Sequence, residues 1–406
     1  MTTTERTYDL SPDVFQRLDH HEVFTRMRAE DPVHLHPGLD GAPFWCLTKH
    51  ADVQMANRDV DTFTVTQGFT LFNVENDPLR RAAMAEMLPG MGPDRHSRHR
   101  RMVSRGFTPR TLRLIEAHLA HKARRIVDEI VDRGECDFVE DVAAVLPLEA
   151  ICELVGVRPE DRRQIFEWGN ALTGIDDPNV GEAEDGMAAS AEMIGYGNEL
   201  RAERLTEPRD DIVTKLTDAA EADGGMTDDE FGMFFLLLVV AGNETTRNAT
   251  AHGMQALLDH PDQLAALQAD PSPPRIERAV EEILRWSSPI SYFRRTATRD
   301  VELRGKTIRA GDWVVLWYAS ANRDEEVFAD PFRFDLERSP NDHVTFGGGG
   351  PHFCLGANLA RMELRLIFTE LVTRMPRLEP AGPVEVLRSN FVSGIRAMPV
   401  RWEVPA

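Results

Sequence analysis

Apolar residues recur mostly at helical spacing along this chain, and short alternating runs gather in a few places. Val14, Phe15, Leu18, Val23, Phe24 and Met27 share a face over 12–30, which predicts one amphipathic helix. The stretches 111–132 and 143–156 read as helices in the same way, with Asp137 placed to cap between them. Residues 160–222 are helix-prone and are interrupted near 174–181 by Asp, Pro, Asn and Gly. Thr227 stands three residues before Glu230, a capping box, and the helix it opens runs apolar on all sides from Phe231 to Ala241. Further helices are predicted over 276–285 and from Cys354 to about Arg374. Strands are predicted at Phe44–Thr48, Val301–Leu303, Lys306–Ile308 and Trp313–Trp317, and Val384–Leu387 with Met398–Val404 suggests a terminal hairpin. No Gly/Ser-rich linker and no internal repeat divides the chain. The expectation is a single, mainly α domain over 1–406, with minor β regions near 33–65, 290–320 and 384–404.

Three places break these patterns. The segment from about Asp61 to Pro93 is irregular yet apolar, with Phe69, Leu71, Phe72, Met84, Met87, Leu88 and Met91; it suits either the wall of an oily pocket or a satellite core. The buried helix meets Gly242-Asn243-Glu244-Thr245-Thr246, where a carboxylate must be paired or functional and threonines can bend the helix. Such an acid–alcohol pair can move protons in a dry cavity, unless the helix simply emerges into solvent there. Last, Phe346-Gly-Gly-Gly-Gly-Pro-His352-Phe-Cys354-Leu-Gly356 places a glycine run and one cysteine ahead of a helix. Glycine lets backbone approach a bulky partner, and a helix N-terminus favours a thiolate. A heme iron is the leading partner; a surface loop with an inert cysteine would share the composition.

Charge narrows the function. The formal net charge is −21, which argues against nucleic-acid binding. Against it stands a basic cluster, Arg95-His96-Ser-Arg98-His-Arg100-Arg101, in which His96 and Arg100 share a helical face suited to a carboxylate or phosphate. Four cysteines without CxxC spacing argue against zinc. The start lacks the pattern of a signal peptide, and the longest apolar stretch, 231–241, is too short to span a bilayer, so a cytoplasmic protein is expected. Glu282 and Arg285 lie three apart on one helix, a pairing that on a surface contributes little.

In this order, His96/Arg100, Ala241-Gly-Asn-Glu244-Thr245, Glu282-x-x-Arg285 and Gly350-x-His352-x-Cys354-x-Gly356 resemble the cytochrome P450 superfamily of heme-thiolate monooxygenases, from about residue 12 to the end. The resemblance implies a helical triangular prism with a minor β region. It implies heme b with Cys354 as its proximal thiolate, Phe346 packed beside that ligand, and Gly356 in the same loop. It implies that His96, Arg100, Arg295 and His352 hold the heme propionates, that Glu244 and Thr245 deliver protons to bound dioxygen, and that Glu282, Arg285 and Arg333 form a buried structural triad. Phe346 and Cys354 are separated by eight positions, one more than is usual in the family. This feature, Ala241-Gly-Asn-Glu-Thr-Thr246 and the Ser389–Ile395 segment resemble an actinobacterial group that oxidises sterol side chains, methyl-branched lipids or terpenoids.

A hydrophobic substrate is expected from the apolar wall residues Val239, Val240, Ala241, Ile290, Phe293, Phe391 and Val392. No Gly-x-Gly-x-x-Gly opens a helix after a strand, so electrons are expected from a separate ferredoxin and its reductase. Arginines 95, 98, 101, 105, 110, 113, 361 and 365 are candidates for that docking face. The competing readings are a heme carrier or sensor without turnover, a peroxide-driven relative, and a helical protein without heme. The acid–alcohol pair favours dioxygen chemistry over the first two.

Overall fold

The computed structural model describes residues 8–404 apart from 40–41, 72–82, 105–106, 108, 174–182, 210 and 223–225. The molecule is built around one helix, Asp228–Asp259. Its start is fixed as the sequence predicts: Thr227 Oγ1 accepts from Glu230 N–H at 3.1 Å, and Glu230 Oε2 accepts from Thr227 N–H at 3.0 Å. At 1.5 Å per residue it runs about 48 Å. Helices Val145–Val155, Arg162–Thr173, Ala183–Thr206, Pro273–Ser287 and Ala357–Arg374 all pack on it. Phe231, Phe235, Val239, Met254 and Leu257 are thereby buried in the largest apolar core. Asn243 and Glu244 are also buried, so the helix does not surface at its polar break. Among the described residues, no helix is long and apolar enough to cross a membrane.

A mixed sheet gathers distant parts of the chain in the order Val33–His36, Phe44–Leu47, Trp313–Trp317, Tyr292–Ala297, Phe63–Thr64. All pairings are antiparallel except Phe44–Leu47 with Trp313–Trp317. Here the structure corrects two sequence expectations. The 12–30 stretch is two helices, Pro12–Gln16 and His20–Glu30, parted at Leu18, whose φ is 63°. That turn lets both Phe15 and Phe24 pack on Trp317, with ring centroids at 5.7 and 5.1 Å, and leaves Leu18 exposed. The terminal hairpin is also absent as drawn. Glu385–Val386 pairs with Ile395–Ala397, whereas Pro399–Arg401 pairs with Glu135–Asp137 and Glu379–Pro380. Asp137 does cap, but it caps the π-helical turn Val139–Ala143, accepting from Val139 and Glu140 N–H.

Glu282 and Arg285 are wholly buried and paired in bidentate fashion, with both N–O distances 2.8 Å. The third guanidinium is not Arg333. Arg338 Nε reaches both Glu282 oxygens, at 3.2 and 3.1 Å, while the Arg333 side chain is exposed. Arg333 contributes only its carbonyl, which accepts from Arg338 at 2.8 Å. Asn341 Nδ2 and the Asp335 N–H also donate to Glu282, so the buried carboxylate is surrounded by donors.

Candidate active site

Cys354 lies three residues before helix Ala357–Arg374, whose N-cap is Gly356. The loop is closed by the Cys354 N–H donating to the Phe346 carbonyl at 2.9 Å. Phe346 lies under the Arg361 guanidinium, 4.6 Å from its ring centre. The extra residue therefore leaves Phe346 tied to the cysteine. Protein surrounds Cys354, yet it keeps exposed surface. Burial pushes its thiol up, against N–H groups of Gly356 and Ala357 and the charges of Arg100 and Arg361.

Four basic groups from three parts of the fold converge beside it. His96 and Arg100 come from helix Pro93–Ser104, Arg295 from strand Tyr292–Ala297, and His352 from the cysteine loop. The His96 and His352 rings are 4.1 Å apart. Burial, then Arg100, pushes His96 down to about 4; burial, then Arg295 and His96, pushes His352 down to about 3. Burial also lowers Arg295 and Arg100, and among the described residues no carboxylate acts on any of the four. Arg295 Nε is buried with no hydrogen-bond partner among the described residues. Two guanidinium groups and two imidazoles, of which His96 and Arg295 are buried and Arg100 and His352 half-buried, with a buried guanidinium donor unspent, suit an anionic ligand.

In the long helix, Thr245 Oγ1 donates to the Ala241 carbonyl at 2.7 Å, the local bond that its position predicts. The Glu244 carboxylate is paired with Arg247 at 2.9 Å, and Arg247 in turn donates to Asn170 on helix Arg162–Thr173. Acid and alcohol are thus adjacent in sequence but engaged with different partners. The apolar wall is largely contiguous: Phe293 packs on Phe391 and Phe69 with centroids 5.8 and 6.1 Å apart, and Ile290 bridges Val392. Met84 and Met87 join Phe69 and Phe293. Val239 belongs to the large core with Val240 packed against it, Ala241 is exposed, and Phe72 lies outside the described residues.

The supposed basic docking face is reduced. Arg95 pairs with Glu86 and Glu230, Arg361 with Glu281, and Arg365 with Glu116. Arg101 and Arg113 remain exposed, whereas Arg105 and the Arg110 side chain lie outside the described residues.

The cytochrome P450 family profile matches residues 189–382. A steroid C26-monooxygenase of Mycolicibacterium smegmatis is 42% identical over 391 residues, covering 94% of this chain and 90% of its own. This chain belongs to the cytochrome P450 family. A methyl-branched lipid omega-hydroxylase of Mycobacterium tuberculosis is likewise 42% identical, over 94% of this chain and 90% of its own. A Mycobacterium marinum cytochrome P450 in complex with pseudoionone superposes with a TM-score of 0.92 at 39% identity, covering 99% of this chain and 100% of that one. This cytochrome P450 is therefore a monooxygenase with a thiolate-ligated heme b. The residues present fit that group: a helix-capped thiol for the iron, and unpaired cations for two carboxylates. Arg338, Arg247 and Asn57 were not found from the sequence. Arg338 and Asn57 lie where only the folded chain brings them to Glu282 and Arg295, so no local spacing signals them, whereas Arg247 stands three residues after Glu244, a helical pair spacing that could have found it.

Proposed function

We propose that this cytochrome P450 hydroxylates a C–H bond of a hydrophobic lipid, a steroid side chain or a methyl-branched chain, with electrons from an external ferredoxin and its reductase. The carrying observation is Cys354 at a helix N-terminus beside four basic groups that no carboxylate among the described residues neutralises. Cys354 would hold the iron, with Phe346 and Gly356 shaping its loop. His96, Arg100, Arg295 and His352 would hold the propionates. The bound heme supplies the dioxygen activation that makes C–H oxidation possible.

The protein supplies proton control and substrate pose. Thr245 Oγ1 holds its proton against the Ala241 carbonyl, and Glu244 holds Arg247. For Glu244 to pass a proton towards the Thr245 hydroxyl, the Glu244–Arg247 pair must open. Ile290, Phe293, Phe391 and Val392, with Phe69, Met84 and Met87, would orient an apolar chain and exclude water. The steroid and branched-lipid activities of the relatives support this substrate class.

The test is spectroscopic first. The reduced, carbon-monoxide-bound protein should show the red-shifted Soret band of thiolate ligation, and Cys354→Ala should lose it. Turnover should then require ferredoxin, reductase and NAD(P)H, and should occur on a steroid or a methyl-branched lipid. Efficient turnover on hydrogen peroxide alone, or none on either lipid class, would reject the proposal.

A further inference from the structure

The sequence places one extra residue in the glycine run, and the structure shows what that run rests on. Gly349 and Gly350 lie on the end of helix His50–Arg58. Gly350 has φ +83°, and a Cβ there would stand 2.3 Å from the Asn57 carbonyl oxygen; one on Gly349 would stand 3.0 Å from Arg58 Nε. Only glycine permits this approach. The cysteine loop is thus seated directly on Asn57.

The Asn57 side chain faces a different part of the site. It is 2% exposed. Its Oδ1 accepts from Arg295 Nη2 at 2.9 Å and from Tyr318 OH at 3.0 Å. A guanidinium only donates, so this contact fixes which end of the amide is oxygen. Arg295 Nη1 is held separately by the Arg294 carbonyl at 2.9 Å, leaving Nε as the buried donor with no partner. Asn57 Nδ2 is likewise buried and unpartnered among the described residues. Two protein acceptors thus fix the guanidinium, both are neutral, and the positive charge is left for something else.

We propose that Asn57 is a positioning residue for the heme-carboxylate clamp: it orients Arg295 without neutralising it, with Tyr318 locking the amide, and it ties that clamp to the cysteine loop through Gly350. This rests on the reading that Arg295 holds a heme carboxylate. The choice of residue follows from the chemistry. An aspartate here would make the same two hydrogen bonds but would take the Arg295 charge for itself. An alanine would leave the guanidinium loose.

The test compares Asn57→Ala, Asn57→Asp and Tyr318→Phe with Arg295→Leu in the heme-loaded protein. It measures heme transfer to apomyoglobin and the heme midpoint potential. Arg295→Leu and Asn57→Asp should each speed heme loss about tenfold, the size of one charge-assisted hydrogen bond, and lower the potential. Asn57→Ala should give about threefold, and Tyr318→Phe less, in the same direction. A merely structural asparagine would be rescued best by the isosteric aspartate, so Asn57→Asp matching the parent in both readouts overturns the proposal. If Arg295→Leu alone shifts them, the clamp stands and Asn57 has no part in it. If Arg295→Leu also matches the parent, the clamp reading itself fails. Should the Asn57 variants not fold, a Tyr318→Phe protein with parental potential and heme loss overturns the proposal equally.

Discussion

Two clusters of buried guanidinium groups share this molecule, and they are built on opposite plans. Around Glu282, a carboxylate with no exposure accepts from Arg285, Arg338, Asn341 and a backbone N–H, so both guanidinium groups have an anionic partner within the protein. Around Cys354, His96, Arg100, Arg295 and His352 meet with no carboxylate among the described residues acting on them. The first arrangement is complete and can only hold the fold. The second leaves its guanidinium charges without such a partner, the arrangement expected of the proposed propionate site. Both gather guanidinium groups from distant parts of the chain; an internal carboxylate separates them.

The largest effect expected from this contrast is on the balanced side. Glu282→Gln leaves Arg285 and Arg338 buried without a counter-charge, which should cost about 3–5 kcal/mol. Chemical denaturation should show that loss whether or not heme is bound. On the unbalanced side the same kind of change has the opposite sense. Arg100→Leu removes a cation that repels its neighbours, so the heme-free protein should keep or gain thermal stability while heme retention falls. Equal destabilisation of heme-free and heme-loaded forms by Arg100→Leu would erase the distinction between the clusters.

Acid gives a milder version of the same test. His96 and His352 are pushed down to about 4 and about 3, below the ordinary value near 6.5. Between pH 6.5 and 4 the unfolded chain therefore binds protons that the folded one refuses, and stability falls as pH falls. Carboxylates placed beside these rings would favour their charged forms and narrow that gap. Thermal melts from pH 7 to 4.5 should thus fall more steeply for heme-free than for heme-loaded protein. Parallel slopes would place the propionates elsewhere.

Legibility in the sequence follows the same division. The helix carrying Glu244 could be read because its capping box and apolar run are local. The cysteine loop could be read because Gly350, His352, Cys354 and Gly356 lie within seven positions. Partners that meet only through tertiary folding could not. Arg247 is the exception: it stands three residues from Glu244, so helix spacing could have named it as the carboxylate's partner. Asn57 reaches Arg295 across 238 positions. The split of 12–30 at Leu18 was hidden because apolar periodicity continues through a turn that a non-glycine residue rarely makes.

The smallest expected effect is the most exacting for the comparison, because it separates two arginines five residues apart. Family resemblance points to Arg333 as the third member of the Glu282 cluster; the geometry gives that place to Arg338. Arg338 Nε lies within 3.2 Å of both carboxylate oxygens, and its Nη atoms donate to the Ala329, Asp330 and Arg333 carbonyls. Arg338→Ala removes a charge-assisted contact of a buried carboxylate and should cost about 1.5–3 kcal/mol. The Arg333 side chain is exposed, and its only role in the cluster is a backbone carbonyl that any residue supplies. Arg333→Ala should therefore change stability by less than about 0.5 kcal/mol. Denaturant midpoints of the two variants decide between them: if the Arg333 variant loses more, the guanidinium that completes the Glu282 cluster is not Arg338.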